Sequence, residues 1–192
     1  MSQLNVDTIK KADGTGNLTI PNATGTVVTT AGATFTGDIV LGTNSLFIGG
    51  TGSANELSDY EEGTFTATIS DAISGGNTSS TSVTGTYTKI GRTVIARFNL
   101  ESIDTSGMTG TNAVHYHLPF TSSSSMTLTP GIVQTANVNI DTGFQFCAIL
   151  DSNANRGRID EMRDATSATG LLVNDLTSGS ANLRIIHTYF VD

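Results

Sequence analysis

At 192 residues, with a net charge of −8, the chain has room for one ordinary domain and an appendage, and its nine Lys and Arg are too scattered to bind phosphate backbones. Thr (32), Ser (19) and Gly (21) supply 72 of the 192 residues and charged residues only 14%, a balance that favours short strands and turns over helices. No apolar run approaches the roughly 20 residues needed to cross a bilayer, so neither nucleic acid nor membrane insertion is expected.

The chain opens on Met1-Ser-Gln-Leu-Asn-Val-Asp7, which lacks the basic flank and apolar core of a signal peptide, and synthesis and assembly in the cytosol are expected. Apolar patches follow at Leu18 and Ile20, Val27-Val28, Ile39 and Leu41, and Leu46 and Ile48, each read as one short strand between Gly-rich turns. Residues 1–63 hold 10 of the 21 glycines and few large side chains. Alone, such a segment cannot offset an ordering entropy of about 1 to 2 kcal/mol per residue. Yet Asp38 is its only charge between Gly14 and Asn55, which is unlike a disordered tail. Identical copies sharing a narrow apolar seam would supply the missing burial, so a slender trimeric β shaft is expected over 21–63; fully extended, Gly14 to Asn55 would reach at most about 140 to 150 Å. A flexible Gly/Thr linker is the alternative.

At Ala54–Ile69 the character changes: Glu56, Asp59, Glu61 and Glu62 arrive together, read as a solvated turn at a junction. Beyond it, 64–192 reads as a β-sandwich of jelly-roll or Greek-key type. Val94, Ala96, Phe98 and Leu100 alternate as one buried face, Val114, Tyr116, Leu118 and Phe120 as a second, and Ile132, Ala136, Val138 and Ile140 as a third. Tyr87 to Val94 reads as a hairpin turning at Gly91. Asp160 to Asp164 suggests a short helical turn, Phe144–Leu150 a strand in which Cys147 is a small buried hydrophobe, and Leu183–Val191 a strand apolar on both faces. Gly/Ser/Thr-rich loops are expected at 70–82, 102–111, 121–125 and 166–170.

Two stretches carry a likeness. "LNVDTI" (Leu4–Ile9) with "DGTGNLTIPNATGTVV" (Asp13–Val28), and "ELSDYEEGTFTATI" (Glu56–Ile69) with "GTYTKIGRTVIARFNL" (Gly85–Leu100), resemble fibre-like structural proteins of tailed bacteriophages. The family pattern has Trp and Pro where Phe65 and Ala67 stand here. The resemblance implies a homotrimeric virion fibre, with a docking segment at 1–20, a shaft, and an outward knob that attaches to a glycan or protein of the host surface. It implies no enzyme activity and no cofactor. Docking on other virion proteins would fall to Leu4, Val6 and Ile9, an extended stretch able to add an edge strand. A head decoration, cement or head-fibre protein is the alternative, and a polysaccharide depolymerase the second.

Few constellations invite chemistry. The acidic cluster is contiguous, without the facing geometry of a glycosidase pair or the spacing of a Ca²⁺ loop. His115 and His117 share one strand face, read as two exposed histidines; around a three-fold axis they would offer six imidazoles to Fe or Ni. His187 reads as a hydrogen-bonded core residue. Asn153, Asn155, Arg156 and Arg158 form a polar loop whose amides and guanidiniums suit sugar hydroxyls and carboxylates, and they are the candidate receptor contacts.

Overall fold

A computed structural model describes residues 46–47, 56–57, 59–71, 75–140, 143–162 and 167–192. The chain divides into two units, Met1–Val40 and Leu41–Asp192, and every described residue belongs to the second. The docking residues Leu4, Val6 and Ile9 and most of the expected shaft lie outside the described residues.

The described strands are β1 (Leu46–Phe47), β2 (Glu56–Leu57), β3 (Tyr60–Ser70), β4 (Thr78–Ile90), β5 (Thr93–Ile103), β6 (His115–His117), β7 (Thr129–Ala136), β8 (Gln145–Leu150), β9 (Arg156–Met162), β10 (Thr169–Gly170) and β11 (Ala181–Phe190), with a 3₁₀ turn at Val173–Asp175. β1 and β2 pair with each other. The rest form one antiparallel sheet in the order β10-β9-β6-β3-β4-β5-β11-β7-β8, and an added β8–β9 pairing closes eight strands into a barrel. The all-β expectation is met. The expected sandwich of two sheets is instead one sheet closed on itself, because half-buried alternation is the same in both and only the long-range β8–β9 and β3–β6 pairings decide.

The interior is filled economically. Phe65, Phe98, Tyr116, His187 and Tyr189 form a chain of ring contacts with centroids 5.7 to 6.2 Å apart. Rings sit over glycines of neighbouring strands: Tyr87 over Gly63, Phe65 over Gly85, Tyr116 over Gly157 and His187 over Gly131. A Cβ at Gly157 would lie 2.2 Å from the Tyr116 ring. Small residues opposite large ones let a narrow barrel fill without crowding. Leu100, Ile103, Leu150, Ile159, Leu183 and Ile185 complete the core.

Local expectations divide by register. Val94, Ala96, Phe98 and Leu100 point inward as the alternation indicates. Gly91, at φ 54°, turns β4 into β5 beside Arg92, with Ile90 opposite Thr93. β11 buries Leu183, Ile185, His187 and Tyr189 and exposes Ile186 and Phe190, though Arg184 and Thr188 share that outer face. The third face is reversed: Ile132 points outward and Val133 packs on the core. Gly131 must lie inside to admit the His187 ring, and Asn137, at φ 56°, then resets the alternation so that Val138 packs inward again. Asp160–Met162 are strand rather than helical turn, paired with Gln145–Cys147. The expected 70–82 loop is shorter, since β4 begins at Thr78. Glu61 and Glu62 belong to β3 and accept hydrogen bonds from Tyr87 and Tyr60, while Asp59 pairs with Lys89, so that part of the acidic cluster is bonded strand and strand edge rather than free turn.

The barrel has two unlike rims. The chain leads into β3 through Asp59 at the near rim, which also carries the Gly91–Arg92 turn, the 118–128 connection, the Asp151–Asn155 turn and Asp192. The far rim carries the β3–β4 connection, Asp104–Val114, the β7–β8 connection and Leu171–Ser180.

Candidate functional site

The two polar constellations singled out in the sequence meet on one wall. β6 pairs with β9 so that His115 lies opposite Arg158 and His117 opposite Arg156. Tyr116, Gly157 and Ile159 take the inward positions, which puts both histidines and both arginines on the outer face. Thr68 and Ser70 of β3 adjoin them, since Ser70 pairs with His115.

Hydrogen bonding fixes the state of His117. The Arg156 Nε–H donates to His117 Nε2 at 2.8 Å, and a guanidinium can only donate. Nε2 is therefore the acceptor, Nδ1 carries the proton, and it bonds the Thr68 hydroxyl. Burial, then the neighbouring Arg156 and His115, holds the His117 pKa below its ordinary value. With both ring nitrogens engaged, His117 has no lone pair to offer a metal. His115 is buried at 5% exposure rather than exposed as expected, with Nδ1 3.2 Å from the Ala113 carbonyl and its pKa lowered chiefly by burial. Among the described residues no group of three or more His, Cys, Asp or Glu converges to hold a metal.

Arg158 is committed as well. Its Nε lies 2.9 and 3.1 Å from the two Asp160 carboxylate oxygens and its Nη1 2.6 Å from Asp151. The pair with Asp151 anchors the 151–155 turn to β9. Ser122 clamps the same turn, donating from its hydroxyl to the Asp151 carbonyl (2.6 Å) and accepting from the Ala154 amide (3.0 Å). Leu118 donates to the Asn155 carbonyl at 2.8 Å. Asn153, at φ 52°, and Asn155 are exposed at the tip. Of the four candidate contacts the two amides face solvent and the two arginines hold the scaffold, and all four lie toward the near rim. Ser70 is the anomaly here: its hydroxyl is fully buried and without a partner.

Sequence reasoning missed two other features. Inside the barrel, His187 Nε2 donates to the Thr129 carbonyl (3.1 Å), leaving Nδ1 to accept from the Tyr116 hydroxyl (2.8 Å). Burial pushes the His187 pKa down to about 4, and pushes the Tyr116 phenol well up. His187 was legible as a core residue; its partners were not, being 71 and 58 positions away. At the far rim a cleft of about 480 Å³ is lined by Asn139, Glu161, Thr169, Gly170, Leu172 and Asp175. Cys147 sits half-buried on the outside of β8 opposite Asp160, its thiol pKa raised first by burial. No family model matches the chain, and no curated protein matches it either.

Proposed function

We propose that this chain is a structural fibre protein of a tailed bacteriophage, assembled as a homotrimer, with a trimeric shaft in its first third and a C-terminal β knob that attaches the particle to a glycan or protein of the host surface. One observation supports it most. The two segments that resemble phage fibre proteins over 56–100 are neighbours in space from Tyr60 on, forming β3 and most of the β4–β5 hairpin of one barrel. Attachment is non-enzymatic and works by avidity: each knob binds weakly, and once one is engaged the others bind intramolecularly.

Host contact is expected at the rims, where the connections between strands lie. The far rim, the end of the barrel away from Asp59, is the first candidate. Its cleft combines the Asn139 amide, the Glu161 and Asp175 carboxylates and the Leu172 side chain, a set that suits sugar hydroxyls and an apolar ring face. Asn153 and Asn155 then flank the knob from the near side. Gold-labelled antibody against the chain, viewed on intact particles by electron microscopy, tests the reading. Label at the tail is the expected result; label across the capsid lattice would make it a decoration protein. New reducing ends from host polysaccharide would make it a depolymerase.

A further inference from the structure

The sheet is not evenly knitted. β4 and β5 pair from Ile90–Thr93 as far as Thr86–Arg97, yet β4 starts at Thr78 and β5 runs on to Ile103. Where that ladder ends, a cleft of about 520 Å³ opens on the outer face and reaches down to Phe98 of the core. Thr84 and Thr86 stand on its β4 bank, and Arg97 and Asn99 on its β5 bank. Register carries the lining onward: Arg97 lies opposite Ile186 and Ile186 opposite Ile132, while Arg184 lies between Asn99 and Gln134. The volume is that of a small-ligand site, ~300 to 1,000 Å³.

The charges of the cleft say what fits it. Its lining holds two guanidiniums and no carboxylate, in a chain whose net charge is −8. Arg97 is exposed and makes no ion pair with any described residue. Arg184 is held loosely, by Gln134 at 3.4 Å and Glu101 at 3.8 Å, and Glu101 is itself taken by the Asn99 amide at 2.6 Å. Glu62 lines a neighbouring cleft that shares Arg97, but it stands two strands away and accepts from the Tyr60 hydroxyl. A guanidinium grips a carboxylate through two parallel hydrogen bonds. Hydroxyls and amides both donate and accept, as sugar hydroxyls require, and Ile132 and Ile186 offer an apolar border for the C–H face of a ring. We propose that this cleft binds a uronic-acid unit of an acidic polysaccharide, its carboxylate on Arg97 and its hydroxyls on Thr84, Thr86 and Gln134. The biological role of such binding rests on the attachment reading above, to which it adds a sugar class and a contact on the side of the barrel.

Fluorescence anisotropy of the full-length chain with labelled hexamers of galacturonate and of mannuronate tests it. The methyl esters of both, which keep the sugar and lose the charge, and labelled poly(glycerol phosphate) serve as comparisons. The expected result is that at least one acid hexamer binds, and that its methyl ester binds about tenfold or more weaker. Arg97→Ala should weaken the acid hexamer by a similar factor and leave the methyl ester unchanged, whereas Arg92→Ala, which removes an exposed cation at the near rim, should change neither. Added salt should weaken the acid hexamer alone. Failure of both acid hexamers to bind, binding that ignores Arg97→Ala, or equal binding of acid and ester would each overturn the proposal. Tighter binding of poly(glycerol phosphate) through Arg97 would overturn the sugar class. None of these results bears on the fibre reading, which labelling of particles decides separately.

Discussion

One closed sheet presents two opposite solutions to an outer surface. On the β6–β9 wall every charged or imidazole group is answered within the chain: Arg156 by His117, Arg158 by Asp151 and Asp160, His117 by Thr68. On the β5–β11–β7 wall Ile132, Ile186 and Phe190 stand uncovered, and Arg97 has no ionic partner among the described residues. Satisfied polar groups resist displacement because any partner must replace bonds already made. Bare aliphatic groups gain about 25 cal/mol for each Å² a partner hides. The first wall is therefore held by its own bonds, and the second leaves aliphatic groups in water.

The contrast can be broken most severely from inside. Gly157→Val would drive a side chain into the Tyr116 ring beneath the β6–β9 wall, and a loss of about 3 kcal/mol or more is expected, read as a collapse of the urea midpoint. Acid comes next. His187, His115 and His117 all have folded pKa values below the unfolded value of about 6.5, so the unfolded chain takes up protons first as pH falls. Their contribution is complete above pH 6.5 and is lost on descending toward His187's pKa of about 4, at a cost of about 3 kcal/mol from that residue. Asp71, Asp104 and Asp192, whose pKa values are lowered by hydrogen bonds led by Thr109, Ser106 and Ser123, add further loss only below their unfolded range near pH 4. Unfolding of the wild type and of His187→Gln between pH 7 and 4 should show the variant with the flatter profile.

Milder changes sharpen the difference between the walls. Arg158→Ala would strand the buried Asp160 carboxylate and should cost about 1 to 2 kcal/mol, discounted for the partial exposure of the arginine. The matching change Arg97→Ala, in dilute solution, should stay within about 0.5 kcal/mol. Equal losses would dissolve the distinction. Smallest and of opposite sign is Ser70→Ala: removing a buried hydroxyl that bonds nothing should leave stability unchanged or raise it by up to about 1 kcal/mol.

How much of this was legible depended on the range of the cause. Val94 to Leu100 and the Gly91 turn are local, set by period-two alternation and one positive φ, and they stand as read. Ile132 was misplaced because alternation fixes only which residues share a face, and the decision came from a ring on β11 that needs Gly131 beneath it. Asp160–Glu161–Met162 resembled a helical turn in isolation and became strand through pairing with β8. Barrel closure, and the meeting of His117 with Arg156, 39 positions apart, depend on pairings that no window of sequence contains. The glycines were read as turn formers, yet four of them are sockets for rings, which a search for small residues opposite aromatic ones could have found.

The route by which β3 joins the barrel bears on force. Its hydrogen-bonded ladder with β4 runs from Tyr60 to Ser70, parallel to any tension applied between the far rim and Asp59. Such a load shears the bonds together instead of peeling them one after another, the geometry in which a sheet resists extraction best. A barrel loaded along β3 would hold long after a strand pulled from its side had unzipped.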